Sequence, residues 1–560
     1  MLSTLPAAAS ATPIGVSPDA GTPAGTVVIS SSGLRFRGDG TVLAGGSAPR
    51  SGELALFCRP VAVAPAVVRR DGTVLAGAWL PDLVRLGDLE AHLGDGVIEA
   101  AVGAAAAAGG LRPRHRRRIM SYPLVIRLMI AMALMPDASC REALSRLAGL
   151  LADVPFAREW HVPTAKVITD WRRPVPPALM EGLFWQAAGP LAGDGEPSAV
   201  MLAGRPVAAA DGTLVNLADT PQNRAFFGST GTADGSSPFP QLRVVAVTAR
   251  AGRATLGAIL GQSGTGEQTL LKRLVRRRPE LFTGRVTCFD RNFPGYDLIT
   301  AILDAGGHVV ARVRAGISLG LADGPGQGWL PDGSRMTWLN APSEKKTDRL
   351  PVRAAEHNAV FPGSDGVSET CTVITTLLDH EAAPAEAVRD AYLTRWSASE
   401  TTSGEDKSTI AGAGGRTSGP VLRSGSPRLV IQEAWAWLAG TQLVRASQAA
   451  ALRGGHAAAR AVHRRSRAVP AADEESFTAA RHHAIRSMTS TQVTATSSLE
   501  ALAAAADAAA RACLHTLNLP GRQRHSARVQ KARPKFPHAA ATKATATGKP
   551  QVTVFAPGFY

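Results

Sequence analysis

Between residues 205 and 314, short β-branched segments alternate with amphipathic ones, and this alternation restricts the fold more than any other feature of the chain. "RPVAAADGTLVNLAD" and "PQLRVVAVTARAGRATLGAILGQ" read as strands bounded by turn residues. "EQTLLKRLVRRRPELF" reads as a helix, "GRVTCFDRNF" as a buried strand, "GYDLITAILDAG" as a helix and "GHVVARVRA" as a strand. Strands alternating with helices call for an α/β core.

The flanks differ in texture. Residues 1–78 are rich in Ala, Gly, Ser and Pro and read as a low-complexity extension, expected to be disordered. The string "DGTVLAG" occurs there at 39–45 and again at 71–77, too short a repeat to establish a solenoid. Residues 79–195 have apolar positions at three-to-four spacing and form an expected N-terminal helical domain. Inside it, Arg112, Arg114, Arg116, Arg117 and Arg118 cluster ahead of the helical "SYPLVIRLMIAMALM". Such a cluster suits phosphate contacts by a helical DNA-binding module, or equally a solvated loop. The α/β core occupies 196–314 and resumes at 386–450, with a segment rich in Gly, Pro, Thr and Val at 315–385 that reads as a β-rich insertion. Residues 451–560 form a helical C-terminal region and a basic tail.

Charge and cysteine content narrow the function. The chain of 560 residues carries a formal net charge of +16. Residues 521–560 hold eight Lys or Arg, Arg522 and Arg524 among them, and no Asp or Glu, so the tail supplies half of that excess. A nucleic acid is the expected partner, ahead of acidic lipid, because Lys and Arg displace counterions from phosphates. The five cysteines, Cys58, Cys140, Cys288, Cys371 and Cys513, are scattered and form no CxxC pair. That pattern argues against a disulfide framework or structural zinc site and fits a reducing compartment. The most apolar run, "YPLVIRLMIAMALM", is interrupted by Arg127 and is short for a membrane span. A soluble intracellular protein with no membrane partner is expected.

Three carboxylates hold special positions. Asp211 follows "RPVAAA" at the expected end of a buried strand, and Asp290 ends the strand "RVTCF". A carboxylate there is costly to desolvate unless it faces a cleft or a cation. Glu400 lies downstream on an expected helix with Arg395 and Lys407. Together they make an all-oxygen set suited to Mg²⁺ or Mn²⁺. Each has a plainer reading alone: Asp211-Gly212 as a turn, Asp290 as a helix cap, Glu400 as a surface residue.

The blocks around these residues resemble the bacterial insertion sequence 4 family of DDE transposases, over about residues 79–540. "AAADGTLVNLADTPQNRAFFG" resembles the family's first-Asp block, with "DGT", Asn223 and "FFG" at its recurrent positions. "FPQLRVVAV" resembles the strand after it. "CFDRNFPGYDLI" followed by "GHVVARVRAG" resembles the second-Asp block, and "YLTRWSASETTSGEDK" the Tyr-Arg-Glu-Lys signature. Tyr392 and Arg395 enclose two residues and Glu400 and Lys407 enclose six, as in the family, but Arg395 and Glu400 enclose four where the family has three. One added residue turns Arg395 by about 100° relative to Glu400 on a regular helix.

The resemblance implies an α/β fold with a ribonuclease-H-like catalytic core, interrupted by the β-rich insertion and flanked by the two helical regions. It implies a transposase that binds the terminal repeats of an insertion sequence and cuts and joins phosphodiesters, acting on double-stranded DNA as a homodimer in the bacterial cytoplasm, associated with the nucleoid. Asp211, Asp290 and Glu400 would bind two Mg²⁺ (or Mn²⁺) ions. Tyr392, Arg395 and Lys407 would contact DNA near the cleaved end, with Arg114, Arg116, Arg117, Arg118, Arg522 and Arg524 contacting it elsewhere. Trp329 and Trp338, in the insertion, are packing residues or platforms for an unpaired base. A nuclease of the same fold without strand transfer, or a DNA-binding derivative with a decayed site, remain the alternatives.

The charge distribution makes one prediction independent of the active site. DNA affinity should fall steeply with salt, and deleting 521–560 should flatten the slope of log affinity against log salt. An unchanged slope in a filter-binding or anisotropy titration would remove the tail from the interface.

Overall fold

The computed structural model describes residues 84–111, 120–149, 161–191, 200–313, 319–393, 421–462 and 476–489, with short breaks inside some of these ranges, together with Ala508, six short strands before residue 76 and Gln551–Val554. Its centre is a mixed sheet. β1 (Arg205–Leu217), β2 (Gln241–Ala249) and β3 (Thr255–Gln262) form an antiparallel meander. β4 (Val286–Phe289) then pairs parallel to β1 on its other side, and β5 (His308–Val313) pairs parallel to β4. The spatial order β3-β2-β1-β4-β5, with β4 and β5 parallel to β1, is that of a ribonuclease-H-like core. Parallel neighbours need crossovers, and helices supply them: α8 (Glu267–Arg277) between β3 and β4, and α9 (Tyr296–Asp304) between β4 and β5. Both faces of β4 are covered, so "VTCF" is buried throughout.

The insertion extends this sheet. β6 (Leu319–Leu321), β7 (Arg335–Asn340), β8 (Arg349–Val360) and β9 (Ser368–Thr375) continue it antiparallel, in the order β5-β9-β8-β7-β6. Gln551–Val554 pairs with the distal end of β8, at His357–Val360. Arg353, 1% exposed, ties the insertion to the next helix, α10 (Ala385–Leu393). It pairs with Asp332 at 2.7 Å and donates to the carbonyls of Leu377 and Ala383, while Asp332 accepts from the amide of Ala385. Ala385 opens α10, which leads toward Glu400.

The N-terminal helices are α1 (Leu89–Leu93), α2 (Val97–Ala107), α3 (Tyr122–Leu134), α4 (Cys140–Gly149), α5 (Ala165–Arg172) and α6 (Pro177–Ala188). The 36-residue α11 (Pro427–Val462) packs against α3 and α6. Its Gly440 would bring a Cβ within 3.3 Å of Leu134, so the two helices approach closely. α12 (Phe477–Thr489) closes the bundle. α7 (Pro221–Phe227) is the short helix after β1. One apolar cluster joins these helices to Val215, Leu217, Leu242 and Val244 of the sheet, which anchors the helical layer to the core.

The apolar run around Arg127 has a specific explanation. Arg127 is fully buried and pairs with Glu90 at 2.5 Å and Glu99 at 2.7 Å. The charge that interrupts "YPLVIRLMIAMALM" therefore closes a buried ion pair between α3 and α1 and a second, partly exposed one with α2. Among the described residues no helix is long and apolar enough to cross a membrane.

Before residue 76, Val16–Ser17, Thr26–Ile29, Leu34–Arg37 and Val42–Leu43 pair as a small antiparallel sheet, and Val67–Val68 pairs with Val74–Leu75. Each "DGTVLAG" copy thus places its Val-Leu in the second strand of a hairpin.

Arg127→Met should destabilise the bundle by about 3–5 kcal/mol, because the buried Glu90 carboxylate loses its cationic partner. Adding Glu90→Gln should recover part of the loss. Calorimetric unfolding of the full chain checks both, and an unchanged melting temperature for Arg127→Met would refute the assignment.

Candidate active site

Asp211 lies inside β1, not at its end: the strand runs six residues further, to Leu217. Its Oδ1 accepts from the Gly212 amide at 2.9 Å, and Asp211 pairs directly with Ala246 of β2, so Asp-Gly here is strand and not turn. Asp290 follows the last residue of β4. Its Oδ1 accepts from the Arg291 amide at 2.7 Å and its carbonyl accepts from Phe293, which makes a tight turn. The helix cap is elsewhere, since α9 begins at Tyr296 with Gly295 before it.

Register brings the two carboxylates together. Phe289 is the parallel partner of Ala210, so the next residue on each strand is Asp290 beside Asp211. Alternation gives their common face. Val207 of β1 and Val286 and Cys288 of β4 pack in one cluster with Val388, Ala391 and Tyr392 of α10. Counting by two along each strand puts Asp211 and Asp290 on that same face. Both are half-buried. The chain leaving α10 at Leu393 therefore sets out from the side of the sheet on which the two Asp residues lie.

Ala208 and Ala210 pack on the opposite face, with Leu270, Leu271 and Leu274 of α8. Gly212 continues that row. A Cβ at 212 would stand 2.5 Å from both Cδ and Oε1 of Glu267, so the Glu267 side chain occupies the place of a side chain at 212. Glu267 opens α8, and Arg243 of β2 holds it at 2.6 Å while also donating to the Ser263 carbonyl. Burial and the neighbouring Asp211 and Asp290 charges push the Glu267 carboxyl above its ordinary range, against the pull of Arg243. Sequence reading passed over Glu267, because an acid in the first turn of a helix is ordinary and nothing local ties it to Gly212.

The first-Asp block also has a structural part. Thr220 caps α7 and Asn223 is fully buried, donating through Nδ2 to the carbonyls of Ala218 and Ser424, each at 3.0 Å. It fastens the end of β1 to the chain just past Val421–Leu422, which pairs parallel with β1. Phe227 is buried and Phe226 is 46% exposed. Gly228 ends the helix at φ +65°, a left-handed conformation that favours glycine.

The remaining expected site residues are distributed unevenly. Tyr392, expected at the DNA surface, is instead 4% exposed and packed within the α10 cluster. Trp329 bridges to Arg335, and Trp338 pairs with Pro351 and Gly320; both are half-buried. Arg395, Glu400 and Lys407, the arginines at 114 and 116–118, and Arg522 and Arg524 lie outside the described residues. Among the described residues no group of three or more His, Cys, Asp or Glu is arranged to hold a metal. Asp211 and Asp290 supply two hard oxygen donors on one face, a partial fit to Mg²⁺ or Mn²⁺ that a third ligand on the segment after α10 would complete.

Asn223→Ala should cost about 1–3 kcal/mol, by removing the donor to the buried Ser424 carbonyl and the partly buried Ala218 carbonyl. Hydrogen exchange should quicken at Val421–Leu422 and the end of β1; unchanged protection there would count against the tether.

Comparison with known proteins adds two family matches. The Insertion element 4 transposase N-terminal model matches residues 83–185, and the Transposase DDE domain model matches residues 202–398. The second match includes Asp211, Asp290, Tyr392 and Arg395 and ends two residues before Glu400. Among solved structures, a cryo-EM structure of the piggyBac transposase synaptic complex with hairpin DNA aligns at a TM-score of 0.38 and 9% identity, over 72% of this chain and 79% of that one. No curated protein sequence matches the chain.

Proposed function

Because the chain belongs to the insertion sequence 4 family of DDE transposases, we propose that it binds the terminal repeats of an insertion sequence, cleaves the phosphodiesters at their ends and joins those ends to target DNA. The observation that carries this reading is the pairing of Phe289 with Ala210, which sets Asp290 beside Asp211 on one face of the sheet. A transposase end must be cut in line at a phosphodiester, and that chemistry needs clustered hard ligands at a rigid sheet.

Asp211 and Asp290 would hold divalent metal, with Glu400 as the third ligand. Two Mg²⁺ or Mn²⁺ ions held there would supply Lewis-acid chemistry toward the attacking and leaving oxygens. The chain's own residues do the remaining work. β1 and β4 fix the carboxylates, since β4 is buried and paired on each side and β1 is paired with β2 and β4. Lys407 and Arg395 orient the phosphates near the cleaved end. Tyr392 seats the helix that leads to them. The basic tail and the arginines at 114 and 116–118 hold DNA through its backbone, and two copies of the chain meet across the paired ends.

The decisive experiment uses Asp290→Asn, which removes a ligand charge and little volume. Cleavage of labelled terminal-repeat DNA should vanish while DNA binding remains measurable. Joining of the cleaved end to a target plasmid separates transposition from plain nuclease activity, because a nuclease cuts without joining. The four residues between Arg395 and Glu400 favour one second reading, a DNA-binding derivative that no longer cuts; metal-dependent cleavage by the wild-type protein would exclude it.

The signature segment gives a finer prediction. Glu400 and Lys407 are seven residues apart, a spacing that would put both on one face of a helix. Arg395 lies five residues from Glu400, about 140° off that face in an unbroken helix. Lys407→Ala should therefore impair end cleavage more than Arg395→Ala. Equal and negligible effects would make the segment a solvated helix surface with no part in catalysis.

A further inference from the structure

Next to the site stands a further carboxylate that the three-ligand reading does not use. Glu267 approaches β1 from the face opposite Asp211, one residue along the strand, and fills the space over Gly212. Being behind the strand, it is not placed to share a metal with Asp211. It is nevertheless a fixed group: it opens α8, it is bound to Arg243 at 2.6 Å, and Arg243 is itself fixed to the Ser263 carbonyl. Arg243 sits on β2 opposite Leu214, two residues beyond Gly212 on β1, so the pair spans β1 and β2 just where Asp211 projects from the other side.

We propose that Glu267 is a positioning residue for the metal-binding carboxylates: held by Arg243, it backs β1 at Gly212 and keeps a negative charge behind Asp211 and Asp290 that strengthens their hold on a divalent cation. Two physical effects combine. The contact at Gly212 limits movement of the backbone next to Asp211, and a ligand must be held closely to work. The charge acts through a sheet of low dielectric, where a unit charge a few ångströms away changes cation affinity far more than in water. The proposal also gives Gly212 a reason. A side chain there would meet Glu267, so the glycine of "DGT" makes room for the carboxylate that backs its neighbour.

This inference rests on the metal-site reading above, and the test keeps the two apart. Mn²⁺ binding to the full-length protein without DNA is followed by electron paramagnetic resonance of the free ion, with thermal melting recorded alongside. Glu267→Gln keeps the volume and an acceptor for Arg243, and should weaken Mn²⁺ binding roughly five- to tenfold with melting nearly unchanged. Glu267→Asp restores the charge and should recover most of the affinity. Gly212→Ala, which displaces Glu267 without altering any charge, should weaken binding as well, and it supplies the test should Glu267→Gln fold poorly. Wild-type Mn²⁺ affinity in Glu267→Gln, or in Gly212→Ala if that is the variant that folds, would overturn the proposal. So would Glu267→Asp binding as weakly as Glu267→Gln. Asp290→Asn should lose binding outright; wild-type affinity in that variant would overturn the metal-site reading itself, and this inference with it.

Discussion

The parallel pairing of β1 with β4 governs the geometry of the whole molecule. It fixes Asp290 beside Asp211 to within one register step. A slip of one residue would send one of the two carboxylates to the opposite face. Burial prevents the slip, because β4 is buried on both sides and β1 alternates between Ala208 and Ala210 against α8 and Val207 against α10. The layers on either side of the sheet thus act as register locks for the site.

Those layers come from distant parts of the sequence. α10 is fixed at its start by Asp332 and Arg353 of the insertion and along its length by Val388, Ala391 and Tyr392. The β-rich insertion is therefore continuous with the core sheet and braces the helix that leads into the signature segment. On the other side, α11 packs against the N-terminal helices, and Asn223 with Val421–Leu422 ties the start of that region to the end of β1. This connection links the N-terminal helices to the strand that carries Asp211.

Much of this architecture was legible in the sequence, for identifiable reasons. The switch from period two to helical period between 205 and 314 marked each core strand and crossover helix, and the blocks around Asp211 and Asp290 marked the family. Asp-Gly misled locally: as a dipeptide it signals a turn, yet β1 runs through it because β2 pairs with β1 without a break from Ala208 to Asn216. Glu267 could not be read at all, since its significance arises only where α8 crosses the sheet at Gly212. Arg127 carried a signal that pointed to burial only with Glu90 and Glu99 in place, and those partners come from two other helices. Pairwise contacts between distant segments leave no periodic trace in a single sequence.

If Asp211 and Asp290 form one metal-binding site on the α10 face of the sheet, anomalous diffraction from crystals of the full chain soaked in Mn²⁺ will locate the ion there. The expected result is an anomalous peak bridged by the Asp211 and Asp290 carboxylates on that face. A peak bound elsewhere, with these two carboxylates bare at saturating Mn²⁺, would contradict the shared site.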